Sequence, residues 1–163
     1  MKHRDPLLLA WQATISRKGD DAAVFDATGK TARRFRDVEE YAAGFEAKME
    51  KLLPWTVVAV QIGNHEDWPA VFIACLRKQL VILPLDQAIV EQQCHAALEI
   101  CKARAVISAA PSGNSTQIIR LSTADSAAEW NRDPPSLLKL TSGTTAAPRA
   151  IRFRSHQLLA DCN

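Results

Sequence analysis

The residues best suited to chemistry lie in one segment near the carboxyl end of the sequence. It reads Thr141-Ser142-Gly143-Thr144-Thr145-Ala146-Ala147-Pro148-Arg149, which is too long and too rich in hydroxyls for a minimal hairpin turn. Hydroxyl side chains, a Gly that permits positive φ and a nearby cation are what a loop needs to bind a polyphosphate. Ser142, Thr144 and Thr145 supply hydroxyls, and Gly143 supplies the permissive backbone. Arg149 adds a guanidinium that can bind phosphate through two hydrogen bonds.

Two strand-like stretches must hold this loop in place. Residues 136–140 and 150–154 flank it, and Ile151 and Phe153 alternate with arginines as in a half-exposed strand. Pro148 fixes the end of the loop, and Ser155 is predicted to cap a helix that begins at His156. The segment therefore predicts a strand–loop–strand hairpin that ends in a helix.

The preceding sequence alternates between strand-like and helix-period segments, which indicates an α/β fold. Strands are predicted at 56–62, 80–83 and 105–107, with helices at about 66–78 and 90–102 between them. This β-α-β-α-β order implies right-handed crossovers and a mostly parallel sheet with helices on both faces.

The amino-terminal part is predicted to contain two helices and a hairpin. Asp5-Pro6 opens a helix that ends near Gly19, and short strands are predicted at 23–25 and 32–35. Asp37, with Glu40 three residues later, is predicted to be the N-cap of a helix that stops at Pro54. We divide the chain into an α/β subdomain (1–121) that ends in an edge strand at 117–121, a polar linker (122–135), and the hairpin with the start of a helix (136–163).

The loop resembles the phosphate loop of the adenylate-forming superfamily, which comprises acyl-CoA synthetases, nonribosomal peptide synthetase adenylation domains and firefly-type luciferases. The signature of that superfamily reads aromatic-T-S-G-T-T-G-x-P-K-G. Upstream segments are also similar, since Arg34-Phe35-Arg36-Asp37-Val38 resembles T-Y-x-E-L and Leu83-Pro84-Leu85-Asp86 resembles v-P-l-d. The strand–helix unit made of residues 58–64 and 72–76 continues the resemblance, which spans nearly the whole chain.

Several positions depart from the superfamily pattern. Ala146 replaces the second Gly of the loop, Ala150 the Gly after the cation, and Leu140 an aromatic residue. Arg149 replaces the usual Lys, which changes a point charge into a planar fork. Gln79 stands where the superfamily commonly has Gly.

The resemblance implies a reaction in which a carboxylate attacks the α-phosphorus of ATP, giving an acyl-adenylate and pyrophosphate. A thiol of coenzyme A or of a carrier protein then accepts the acyl group. ATP and Mg²⁺ are the implied cofactors, and the implied ATP-phosphate-binding residues are Thr141, Ser142, Gly143, Thr144, Thr145 and Arg149. No catalytic residue and no metal ligand is assigned within the chain.

The later motifs of the superfamily, for adenine, ribose and the catalytic Lys, are absent from the sequence. We therefore expect the chain to be the front portion of an AMP-forming acyl-CoA synthetase-like enzyme and to be inactive alone. The alternative is a free-standing α/β module that keeps the loop as a scaffold and binds a partner or an anion. Truncation would leave core surface uncovered, so self-association is also expected.

Composition excludes other classes of function. A formal net charge of +2 is too small to indicate a nucleic-acid partner. No apolar run approaches the ~18 residues that a membrane span needs, and no secretory signal is recognisable, so a cytoplasmic location is expected. The four cysteines and four histidines show no metal-ligand spacing, and the cysteines are predicted to be buried thiols.

Overall fold

A computed structural model describes residues 5–110, 116–121, 130, 134–141 and 149–161. Its elements follow the predicted alternation of helices and strands. In chain order they are α1 Pro6–Lys18, β1 Ala22–Phe25, β2 Thr31–Arg34, α2 Phe35–Lys48, β3 Val57–Gln61, α3 Trp68–Arg77, β4 Val81–Pro84, α4 Glu91–Ile100, β5 Ala105–Ala109, β6 Thr116–Arg120, β7 Leu137–Thr141, β8 Arg149–Phe153 and α5 Ser155–Ala160.

The main sheet has six strands in the order β6-β5-β3-β4-β7-β8, and β1 and β2 form a separate antiparallel hairpin. Strand β3 pairs in parallel with β4 and β5, and β4 pairs in parallel with β7. The two outer strands, β6 and β8, are antiparallel to their neighbours. The predicted α/β class with a mostly parallel sheet is confirmed, and β6 is the edge strand expected near 117–121.

The central strands are buried on both faces because nearly all of their residues are apolar. Val57, Val58, Val81, Ile82 and Leu83 are all fully buried, as expected of parallel strands covered by helices. Alternation divides their side chains between two clusters, one packed with α2 and α3 and the other with α4. The sheet therefore separates two hydrophobic cores.

The amino-terminal helix begins where the sequence predicts but is held by an unpredicted contact. Asp5 caps α1 by accepting hydrogen bonds from the backbone of Leu7 and Leu8 at 2.9 and 3.3 Å. Its second carboxylate oxygen accepts the hydroxyl of Ser155, which also lies 2.7 Å from the hydroxyl of Ser136. Ser155 is thus the first residue of α5 rather than its N-cap, which is Arg154. The predicted cap was wrong because the buried hydroxyl binds a distant carboxylate instead of its own helix.

The second helix also starts earlier than predicted. It begins at Phe35, and Asp37 is its third residue rather than its N-cap. The carboxylate of Asp37 accepts a hydrogen bond from the backbone N–H of Arg34 at 2.7 Å, which is the second half of a capping box. The helix ends at Lys48, well before Pro54, so the apolar periodicity continued beyond the helix itself.

The hairpin of β7 and β8 belongs to the same sheet as the first part of the chain. Leu137 is the partner of Ile82 in β4, and α5 lies against α1. Most of the predicted linker, 122–129 and 131–133, lies outside the described residues. The division into 1–121, 122–135 and 136–163 stays a prediction.

Candidate functional site

The end of the β7–β8 hairpin at which β7 finishes and β8 begins holds both ends of the predicted phosphate loop. Thr141 and Arg149 are directly opposite each other in the ladder, and the Thr141 hydroxyl donates to the Arg149 carbonyl at 3.3 Å. The structure therefore brings these two predicted residues together. The other predicted residues, Ser142, Gly143, Thr144 and Thr145, lie outside the described residues.

This end of the hairpin is at the edge where the parallel strands finish. Strands β3, β4, β5 and β7 run in the same direction, so their carboxyl ends meet at one edge. The connection from β3 leads to α3 on one face, whereas that from β4 leads to α4 on the other. Connections that diverge in this way leave a crevice between neighbouring strands, where α/β proteins bind their ligands.

Close packing shapes the loops along this edge. The side-chain amide of Gln61 donates to the carbonyl of Asp86 at 3.2 Å, which ties the end of β3 to the segment after β4. Gly63 has φ +56°, and a Cβ added there would lie 2.5 Å from Oε1 of Gln87. The positive φ favours glycine at position 63, whereas the close contact is with the end of an exposed, flexible glutamine side chain that can move away. These two loops therefore contact each other at the edge where the parallel strands end.

The arginines that follow the loop fall on opposite faces of the hairpin. Arg149 is exposed and lies on the face of Thr141. Arg152 is the partner of Leu138 and lies on the other face, where its guanidinium is 5.2 Å from the ring centre of Trp130. Arg149 is therefore an exposed cation beside the predicted loop, whereas Arg152 packs against an aromatic ring.

The buried cysteines are unsuited to nucleophilic chemistry. Burial raises the pKa of the Cys75 thiol to about 12 and also raises the pKa of Cys101. Cys94 is half-buried and is also a free thiol, whereas Cys162 lies outside the described residues. A thiol with a raised pKa contains very little thiolate at neutral pH. Cys75 and Cys101 therefore pack as small apolar side chains, as the sequence predicted.

A buried polar cluster that the sequence did not indicate lies beside α2 and α3. Asp67 is only 6% exposed and accepts a hydrogen bond from Thr116 at 3.3 Å. Arg33 pairs with Glu66 and lies 3.5 Å from the Asp67 carboxylate, and its guanidinium covers the ring of Tyr41. In the sequence, Asp67 falls at the start of the helix predicted at about 66–78, and no partner for it is indicated. No local signal links Arg33 to Asp67, because Arg33 lies in β2 and Asp67 immediately precedes α3, two segments that are far apart in the sequence.

Two grooves formed by described residues lie away from the hairpin end. One of about 380 Å³ is at the amino edge of the sheet, next to Leu8, Trp55 and Gln79. The other, about 390 Å³, is lined by residues that include Arg33 and Asp67. Neither includes Thr141 or Arg149. These two grooves therefore do not coincide with the predicted phosphate site, and the hairpin end is considered a candidate site because of its residues.

The donor set at the hairpin end fits an anion rather than a metal ion. Thr141 and Arg149 provide a hydroxyl and a guanidinium, whereas Mg²⁺ prefers carboxylate and other oxygen ligands. Across the described ranges, no group of three or more His, Cys, Asp or Glu side chains could hold a metal ion. Among the helices of that same part of the chain, none is both long and apolar enough to cross a membrane.

Comparison with known families and structures gives a consistent result. The family profile described as AMP-binding enzyme matches residues 10–163. VinN in complex with 3-methylaspartate is 18% identical, with a TM-score of 0.67 over 87% of this chain and 45% of that one. The NpsA N-terminal subdomain of Klebsiella oxytoca, in complex with 3-hydroxyanthranilyl-AMSN, is 21% identical, with a TM-score of 0.68 over 89% of this chain and 39% of that one.

A third similar structure is an artificially fused adenylation–PCP di-domain, NpsA-ThdA of Klebsiella oxytoca. It is 21% identical, with a TM-score of 0.65 over 87% of this chain and 31% of that one. At these identities the likeness concerns the fold. The chain spans less than half the length of each of these structures. No curated protein matched the sequence.

Proposed function

The chain belongs to the AMP-binding enzyme family, and from this premise we propose that the full-length protein activates a carboxylate with ATP. The carboxylate oxygen attacks the α-phosphorus of ATP, the bond to the β-phosphate oxygen breaks, and pyrophosphate leaves. The resulting acyl-adenylate is then attacked by a thiol, which takes the acyl group and releases AMP. The protein is an AMP-forming ligase in this proposal.

One observation carries the proposal. The family match includes the predicted phosphate loop, and the two described ends of that loop, Thr141 and Arg149, meet at the carboxyl edge of a parallel sheet. Ligands of open α/β sheets bind at this edge. The position of these two ends supports the proposal that hydroxyl, backbone and guanidinium donors of the loop bind a nucleotide phosphate at this edge.

The loop residues have distinct roles in this proposal. The hydroxyls of Thr141, Ser142, Thr144 and Thr145 donate hydrogen bonds to the phosphates of ATP, and Gly143 allows the backbone N–H groups to turn towards them. Arg149 binds a phosphate through two parallel hydrogen bonds and offsets its charge. Mg²⁺ enters with ATP as part of the substrate.

The carboxylate and the thiol acceptor are proposed as chemical classes. VinN has been solved with 3-methylaspartate, and NpsA with 3-hydroxyanthranilyl-AMSN, so these similar folds bind carboxylic acids or derivatives linked to AMSN. We propose a small carboxylic acid as substrate and the thiol of coenzyme A or of a carrier protein as acceptor. A cytoplasmic location stays a prediction.

Carboxylate-dependent exchange of labelled pyrophosphate into ATP by the full-length protein tests the proposal. Replacing Thr144 by Ala is expected to slow exchange by about 10²–10³-fold, the usual effect of losing one donor to a developing oxyanion. Ser16→Ala is the matched control, because that exposed hydroxyl donates only to the carbonyl of Gln12 in its own helix. Absence of exchange with a broad panel of carboxylates would refute the proposal. Equal rates for both variants would exclude the loop from the reaction.

The isolated chain of 163 residues is expected to show no exchange, because the adenine, ribose and lysine motifs of the superfamily are absent from it. Exchange by this chain alone would show that the phosphate loop suffices for adenylation. Light scattering of the same sample tests the expected self-association, and a monomer at high concentration would contradict it.

A further inference from the structure

The register of the β7–β8 hairpin places a second cation beside Thr141 and Arg149. Lys139 is the partner of Ile151, and Thr141 is the partner of Arg149. Directly opposed residues of an antiparallel pair lie on one face, as do residues two apart along a strand. Lys139, Thr141 and Arg149 therefore share one face, at the end of the hairpin where β7 finishes and β8 begins.

Apolar side chains on the other face fix this arrangement. Leu138 is 2% exposed and belongs to the core cluster that packs against α4. Leu140 and its partner Ala150 pack against the same cluster. A shift of one residue would turn the leucines towards water, so the register is strongly specified. Lys139 consequently stays on the opposite face, where it is exposed.

Electrostatics on this face favours an anion. Lys139 and Arg149 are diagonal neighbours across the strand pair, a position at which side chains about 7–8 Å apart still interact. Within the described part of the chain, no carboxylate forms a salt bridge with either of them. Like charges in such positions repel each other, and an anion bound between them removes the repulsion.

We propose that Lys139 is a further phosphate-binding residue that contacts the polyphosphate of ATP together with Arg149. This inference rests on the proposed function. The superfamily usually has Lys where this chain has Arg149, and Lys offers a compact point charge whereas Arg offers a planar fork. In this chain the ammonium group comes from the preceding strand, on the same face as the guanidinium. Lys139 thereby supplies the compact positive charge that the usual Lys would provide at position 149.

The test compares Lys139→Met with the unmodified full-length protein. The KM for ATP in pyrophosphate exchange and the Kd for inorganic pyrophosphate, measured by calorimetry, are both expected to rise about tenfold, as for the loss of one charged hydrogen bond. The difference should shrink as salt is added, because the interaction is partly exposed. Lys139→Arg keeps the charge and should restore most of the affinity.

Arg152→Met is the matched control. It also removes one positive charge from the hairpin, but Arg152 lies on the opposite face as the partner of Leu138. The Arg152→Met variant should bind ATP and pyrophosphate as tightly as the unmodified protein does. Thermal unfolding verifies that both variants are folded. If both variants bind ATP and pyrophosphate equally weakly, the loss of affinity comes from the lower net charge and the inference is overturned.

The two proposals can fail separately. If the unmodified protein catalyses exchange and Lys139→Met retains its affinity for ATP and pyrophosphate, the role of Lys139 is refuted and the proposed function stands. If the unmodified protein catalyses no exchange but Lys139→Met still loses pyrophosphate affinity relative to Arg152→Met, the ligase function fails and the anion site remains.

Discussion

Two helices end on residues that must adopt the left-handed conformation without being glycine. After α3, Gln79 has φ +56°, and after α4, Lys102 has φ +53°. In each case the last turn is closed by two backbone bonds, for example from Gln79 to Leu76 at 3.0 Å and from Leu80 to Cys75 at 2.8 Å. This is a Schellman motif, whose left-handed residue is usually Gly. The superfamily pattern, which commonly has Gly at the position of Gln79, therefore has a conformational reason.

Replacing Gln79 by Gly should stabilise the protein. A non-Gly residue in this conformation costs about 1–2 kcal/mol, and Gly loses about 0.5–1 kcal/mol more entropy on folding than other residues. The expected net gain is about 0.5–1 kcal/mol in the free energy of unfolding, measured by urea denaturation. Gln79→Ala is the control, because it removes the side chain but keeps the penalty at positive φ. Equal effects of the two variants would assign the change to the side chain rather than to the backbone.

The buried thiol of Cys75 should resist alkylation until the protein unfolds. Its pKa is raised to about 12 by burial, and the side chain is fully buried beside Met49. Cys94 is half-buried and serves as an internal control. Peptide mapping after iodoacetamide treatment at pH 8 should find Cys94 modified first, and Cys75 modified at the rate of global unfolding. Early modification of Cys75 would contradict the packing of this core.

At the scale of elements, Glu39 joins the first three helices. Its carboxylate accepts a hydrogen bond from Trp11 of α1 at 2.7 Å and two from Arg77 of α3 at 2.6 and 2.7 Å. Partial burial by itself raises the pKa of Glu39, but these hydrogen bonds and the positive charge of Arg77 outweigh it and hold the pKa below its ordinary value. The ionised form of Glu39 is therefore favoured by folding.

This shift makes stability depend on pH in the acid range. A carboxyl whose pKa is lowered by folding contributes fully above its ordinary value of 4.5, and the contribution is lost as the pH falls through the lowered value. Glu39→Gln should lose about 0.5–1 kcal/mol at pH 7, a modest amount because solvent screens a group that is more than one third exposed. Urea unfolding between pH 7 and pH 3 should show this difference shrink progressively as the pH falls below 4.5.

The neighbouring residue Glu40 provides the control for this titration. It is exposed, and Glu40→Gln should leave the unfolding free energy nearly unchanged across the same range. A difference for Glu39→Gln that stays constant down to pH 3 would assign the effect to packing instead of to charge.

The sequence predicted the type and approximate place of most elements because apolar periodicity is local. It placed their ends less well, as Asp37 and Ser155 show, because a carboxylate or hydroxyl near a helix start can bind more than one partner. The loop of residues 141–149 was recognisable from adjacent residues alone. By contrast, the pairing of Arg33 with Asp67 depends on how the first hairpin packs beside α3, and the shared face of Lys139 and Arg149 depends on strand register. Local patterns specify neither.

At the scale of the whole molecule, the six-stranded sheet is a partition between two cores. Apolar composition predicts that β3 and β4 are buried on both faces, but the helix that covers each face follows only from the order of the strands. Val58 and Ile82 are partners on adjacent strands and belong to the cluster with α2 and α3, whereas Val57 belongs to the cluster with α4. Neighbouring positions along one strand therefore contribute to different cores.

This partition predicts which core mutations are additive. Ile82→Val should cost about 0.5–1.5 kcal/mol, and Val57→Ala or Val58→Ala roughly 0.8 kcal/mol or more per buried carbon removed. Combining Ile82→Val with Val57→Ala should give nearly the sum of the single effects, because the two side chains pack in different clusters and their truncations share no cavity. Combining it with Val58→Ala, its partner on the same face, should depart from the sum by about 0.5 kcal/mol or more, because the two truncations share one cavity. Double-mutant cycles by urea denaturation measure the coupling energy of each pair. A larger coupling energy for the pair on opposite faces than for the pair on one face would show that the two cores behave as one.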